Sequence, residues 1–111
     1  MNPDEDTLLQ QMVEVIVREV NPETIILFGS RARGEARPDS DVDLLVIEKE
    51  PFSTQRSRRK ELFRLSMALR DLPLVKDILV YSREEFDYWR DSLNHVVGRA
   101  SREGRILHAR H

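Results

Sequence analysis

Two apolar runs of four residues, Ile25–Phe28 and Leu44–Ile47, bracket a stretch that cannot itself pack into a core. Residues 29–43 hold two glycines, a proline, three arginines and four acids. Runs this short, closed by turn residues, do not make helices. With the preceding Thr24 the first is β-branched and reads as a strand, Thr24–Phe28, and the second reads as a strand over Val42–Ile47.

The rest of the chain supplies helices to cover these strands. Leu8, Leu9, Met12, Val13, Ile16, Val17 and Val20 form one helical stripe, which predicts a helix over residues 5–19 that ends at Asn21-Pro22. Arg31–Ala36 allows one or two helical turns, and Arg37–Ser40 reads as a turn. A longer helix is expected from about Thr54 to Arg70, with Leu62, Leu65 and Leu69 inward, Phe63 and Met67 beside them, and Phe63 read as core. Leu74–Tyr81 reads as a third strand. Ser82-Arg83-Glu84-Glu85 has capping-box spacing and opens a further helical segment, broken or not, through Trp89 to Arg102. Gly104 stands where a helix would be capped, and Arg105–Leu107 reads as a short last strand or a docking tail. The order α-β-α-β-α-β-α predicts an α/β (α+β) fold, one sheet flanked by helices, over residues 1–111 as a single domain.

Composition excludes several kinds of chemistry. The chain of 111 residues contains no cysteine, which removes thiol nucleophiles, disulfides and cysteine zinc sites. Two of its three histidines fall in the last four residues, so a histidine metal cluster is not expected. Its apolar runs are far short of the ~20 residues that span a bilayer. Its acidic beginning is unlike a secretory leader, and a cytoplasmic protein is expected. The net charge of −2 conceals a split: residues 1–50 carry 5 basic and 12 acidic side chains, residues 51–111 carry 13 and 8. Much of the basic excess is Arg56, Arg58, Arg59, Lys60 and Arg64. With little aromatic interleaving, that cluster reads as a solvated helix face before an RNA site, and direct nucleic-acid binding is not expected.

Three features of the central stretch carry chemistry. Gly29-Ser30 follows a strand directly, where a glycine lets the backbone approach a ligand and exposed N–H groups attract phosphate. Asp41 and Asp43 are two apart at the start of a strand, which puts both carboxylates on one face. At about 4 Å two such charges repel by ~1 kcal/mol in water and up to ~4 kcal/mol near a protein surface, a repulsion that a cation, a proton or a basic partner offsets. Mg²⁺ suits carboxylate oxygens combined with waters and substrate phosphates. Asp77 interrupts an otherwise apolar strand that reads as internal, where it either pairs with Lys76 or another cation, or joins the Asp41–Asp43 pair.

Gly29-Ser30, ten residues, then Asp41-Val42-Asp43 resembles the G-S-x10-D-x-D signature of the polymerase-β-like nucleotidyltransferase superfamily, and Asp77 fits its third acid. The whole chain is similar to the small MNT-type nucleotidyltransferases, which resemble the N-terminal part of kanamycin nucleotidyltransferase. The resemblance implies a mixed sheet flanked by helices. It implies that Gly29 and Ser30 hold the β- and γ-phosphates of ATP. It also implies that Asp41, Asp43 and Asp77 bind two Mg²⁺ ions, and that Asp77 serves as general base. Arg31, Arg33 and Arg37 lie inside the signature, and Arg31 is assigned to the triphosphate.

MNT-type members are often paired with a HEPN-domain RNase toxin. The resemblance therefore implies an antitoxin that transfers AMP to a tyrosine of such a partner, in a hetero-oligomer. Two alternatives remain: an antitoxin that neutralises by binding alone, and transfer to a small molecule such as an aminoglycoside. Arg90 to His95 spells R-x4-H, similar to the HEPN ribonuclease motif. A sheet protein does not offer the paired helical bundle that motif needs, so His95 reads as a helix-surface residue. Phe86, Tyr88 and Trp89 read as core or interface.

Overall fold

In the computed structural model residues 3–34 and 41–110 are described. The elements are α1 (Pro3–Val20), β1 (Thr24–Phe28), β2 (Val42–Glu48), α2 (Arg58–Ala68), β3 (Lys76–Ser82), α3 (Arg83–Trp89), α4 (Val96–Glu103) and β4 (Arg105–Ala109). The turn expected over Arg37–Ser40, and the end of the turn before it, lie outside the described residues. The last segment is a true strand, and the sheet order is β3-β2-β1-β4. β1 runs antiparallel to β2 and β4 while β2 and β3 are parallel, so the sheet is mixed as expected.

β2 lies inside the sheet and is covered on both faces, which is why its sequence is an unbroken apolar run rather than an alternating one. One face carries Leu27, Leu44 and Val46 into a core shared with Met12 and Ile16 of α1, Leu65 of α2 and Leu69 at its C-cap. The other carries Ile26, Phe28, Leu45 and Ile47 against Phe86 of α3 and Val97 and Ala100 of α4.

Two boundaries differ from the sequence reading, each through a local hydrogen bond, and a third is settled. α2 starts at Arg58 because Ser57 caps it, accepting from the N–H of Lys60, while Ser53 accepts from the N–H groups of Gln55 and Arg56 in a separate turn. β3 starts at Lys76, whose ammonium is tied to the carbonyls of Leu72 at 2.8 Å and Leu74 at 2.9 Å. The helical segment after Ser82, whose capping box forms as read, breaks at residues 90–95. Gly104 does cap α4, donating its N–H to Ala100 O at 2.8 Å. Asp77, read as lying in an internal strand, sits on an edge strand and is exposed; the apolar run that suggested an interior strand is buried by helices rather than by a further strand.

Candidate active site

The two-residue period of the strands decides which side chains meet. Phe28, Asp43 and Asp77 are register partners across β1, β2 and β3, so all three stand on the α3/α4 face. Leu45 and Ile47 follow Asp43 on that face, under the helices. The acids therefore lie at one end of a face whose other end is packed, Asp43 half-buried and Asp77 exposed. Asp41 is exposed just before β2. Burial pushes the Asp43 carboxyl above the usual aspartate value, with Asp77 and then Asp41 adding to the rise, while Arg31 and Arg33 oppose it. Among the described residues no trio of acid, histidine or cysteine side chains is already drawn in round a single point.

Gly29 closes β1 with φ +74°, a conformation that favours glycine. A Cβ at that position would overlap the Asp43 carboxylate, whose Cγ would lie 3.2 Å away. The missing side chain thus makes the space in which the Asp43 carboxylate sits. Beyond it Ser30 is half-buried in a tight turn, in which the Arg33 N–H donates to Gly29 O and the Gly34 N–H to Arg31 O, each at 3.3 Å. This one turn is all that the described residues show of the expected helical segment. Arg31 is buried at 7% exposure, close enough to act on Asp43. Arg33 also reaches across to Glu103 at the end of α4, at 3.4 Å.

The overlap gives a test that needs no activity. Gly29→Ala is expected to lower the melting temperature, through backbone strain of about 1–2 kcal/mol and displacement of Asp43. In a double-mutant cycle with Asp43→Ala part of that loss should return. Strictly additive losses would show that the two positions do not touch.

Other predicted residues fall elsewhere. The basic cluster on α2 is largely spent within the molecule: Arg56 pairs with Glu48 and Glu61, Arg58 with Glu85, and Arg64 with Glu19. Arg59 and Lys60 remain exposed. His95 is not a helix-surface residue. It caps α4, its Nδ1 accepting from the N–H of Val97 at 3.1 Å, and it stacks on Trp89 with ring centres 4.1 Å apart. An Nδ1 that accepts leaves the proton on Nε2. Histidine is a rare cap, and the capping role was not visible in the sequence.

The mixed sheet flanked by helices is the fold of a nucleotidyltransferase domain. Residues 9–106 match the nucleotidyltransferase domain family, and the chain belongs to it. It is 37% identical over 79 residues to the Haemophilus influenzae protein named "Probable protein adenylyltransferase MntA". That match spans 69% of this chain and 66% of MntA, a little under two thirds of its length. A solved minimal nucleotidyltransferase, 30% identical, superposes with a TM-score of 0.58 over 90% of this chain and 92% of its own. A Sulfolobus solfataricus nucleotidyltransferase shares the fold at 22% identity, with a TM-score of 0.65 over 94% of this chain and 79% of its own. A toxin–antitoxin structure with AMP-PNP shares it at 20% identity, with a TM-score of 0.53 over 91% of this chain and 73% of its own. Among the described residues no helix is long and apolar enough to cross a membrane.

Proposed function

We propose that this chain transfers AMP from ATP to a hydroxyl of a partner protein, a tyrosine of a HEPN-domain RNase toxin, and so acts as its antitoxin. The observation that carries the chemistry is the pairing of Asp43 with Asp77 on adjacent parallel strands, with Asp41 near enough to raise Asp43 further. The protein acceptor is supported by the name of MntA, and a toxin partner by the likeness to a toxin–antitoxin structure.

The donor set fits Mg²⁺: three carboxylates, oxygen only, whose mutual repulsion is already written into Asp43. Asp41, Asp43 and Asp77 would hold the metal, and two bound ions would supply charge neutralisation at the α-phosphate and the leaving pyrophosphate. The turn after Gly29 offers backbone N–H groups and the Ser30 hydroxyl to the β- and γ-phosphates, and Arg31 adds fixed positive charge beside them. In the transfer the acceptor oxygen forms a bond to the α-phosphorus. The bond from that phosphorus to the bridging oxygen breaks, and pyrophosphate leaves with the electron pair. The hydroxyl proton passes to the Asp77 carboxylate, which is exposed and open to an acceptor.

Three acids and a triphosphate repel one another, so ATP should bind at least tenfold more tightly with Mg²⁺ than with a chelator, measured by calorimetry. Equal affinity under both conditions would remove the metal-dependent reading.

A further inference from the structure

β3 is an edge strand of seven residues, and its outer edge differs from a guarded one. The Val42 N–H donates to Val75 O at 2.8 Å, and Val42 is the register partner of Lys76. In a parallel ladder this phase turns the N–H and C=O groups of residues 77, 79 and 81 towards β2, and those of Ile78 and Val80 outwards. Nothing among the described residues pairs with that outer side. Natural edges are usually protected by charged side chains, lysine above all, by proline or by a bulge. Here Lys76 and Asp77 open the strand, while its middle, Ile78-Leu79-Val80, holds neither charge nor proline.

Beside this middle stretch the surface is partly apolar. A groove of about 420 Å³ runs beside it, lined by Leu62 and Ser66 of α2, by Leu69 at its C-cap, and by Lys76, Asp77 and Ile78 of β3. Phe63 and Met67 follow two of the lining residues and so stand about 100° further round α2, away from the core. They are 67% and 42% exposed, and Val75, just before β3, is 65% exposed. Three exposed large apolar side chains thus flank a groove that ends at a candidate catalytic acid.

We infer that the protein acceptor docks here as an added β-strand, pairing with the outer edge of β3 and so delivering its hydroxyl to Asp77. The inference rests on the adenylyl-transfer reading above. Added strands gain affinity from main-chain hydrogen bonds and specificity from alternate side chains. A residue opposite Asp77 stands on the face that carries Asp43 and Asp77. Its two neighbours stand on the other face, over the groove and the Phe63–Met67 flank. The acceptor is therefore an extended segment in which the modified hydroxyl residue lies between apolar ones.

The test uses a degenerate peptide library with a fixed central tyrosine, Mg²⁺ and ATP labelled at the α-phosphate. The expected result is labelling that favours apolar residues on both sides of the tyrosine. With the best peptide, Phe63→Asp and Val75→Asp should raise the acceptor KM tenfold or more. Both side chains are exposed and lie outside the proposed nucleotide site, so Mg·ATP affinity should not change. Bound peptide should also slow hydrogen exchange at the N–H groups of Ile78 and Val80. Val80→Pro, which deletes an outward N–H that β2 does not use, should weaken the peptide in the same way. Labelling without the flanking preference, an unchanged KM in both surface variants, or no exchange protection would overturn the docking mode. So would retained Mg·ATP binding with no labelled peptide. A wild-type dimer in sedimentation that Val75→Asp disperses would assign the edge to a second copy and overturn the inference too. Failure of Mg·ATP to bind at all would instead sink the catalytic reading beneath it.

Discussion

Asp43→Asn should lose nucleotide transfer by on the order of a thousandfold while making the protein more stable at neutral pH. The two effects have one cause. Asp43 is squeezed by burial and by its neighbours Asp77 and Asp41, so its native carboxyl holds a proton more tightly than the unfolded chain does. Native stability from this group is therefore full below the unfolded pKa and is lost as pH rises through the native value. Asparagine keeps the shape and removes the charge, so the gain in melting temperature should be largest at neutral pH and fade in acid. Catalysis loses the same charge at the place where the metal would be held, and Asp41→Asn should fall in parallel. If a HEPN-domain partner is bound elsewhere on the surface, these variants should still bind it in pull-down, yet neither modify it nor protect cells from it. Full protection by Asp43→Asn would mean that neutralisation is by binding alone. Loss of binding would make the acidic face itself the interface.

The strands that build this site were legible because each is an apolar run too short for a helix. Asp41 and Asp43 could be placed together because a strand has a period of two. What a strand does not reveal is its neighbour. The contact between Gly29 and the Asp43 carboxylate depends on Phe28 facing Asp43 across an antiparallel pair, a register set by the whole sheet. Asp77 was assigned to the site by resemblance and was expected in an internal strand of the sheet, whereas β3 is an edge. Ile78 and Val80 are buried by helices on the core side, so the sequence of this edge strand matches that of a central one.

Charge was the least legible property. Five basic residues between Arg56 and Arg64 look like a surface made for an anion. In the fold three of them answer acids from α1, β2, α2 and α3, brought in from as far as 45 residues away. Each of these acids looked equally free in the sequence. Glu48 was the most concealed: it followed an apolar run and read as the start of a connection, whereas it is the last residue of β2 and 5% exposed.

Glu48→Gln should flatten the pH dependence of stability. Arg56 donates to Glu48 Oε1 and to Glu61 Oε2, each at 3.1 Å, and its guanidinium lies over the Phe52 ring at 4.4 Å. One cation thus serves two carboxylates in a largely closed space. Burial first, and Glu61 second, push the Glu48 carboxyl up to about 8, with Arg56 opposing the rise. Its Oε2 is buried and meets no hydrogen-bond partner among the described residues, an environment that favours the uncharged form. The unfolded chain gives that proton up near the ordinary value of 4.5. Between the two values the native state binds the extra proton, so stability falls as pH rises across that window and levels off above it. Glutamine keeps an acceptor for Arg56 without titrating. Calorimetric melts from about pH 5 to 9 should show wild type declining more steeply than Glu48→Gln, with the gap widest at the alkaline end. Parallel curves would mean that Glu48 is charged throughout. Glu48 stands about 16 Å along β2 from Asp43, so the stability gains of Glu48→Gln and Asp43→Asn should add in the double variant, whose transfer activity should match that of Asp43→Asn alone.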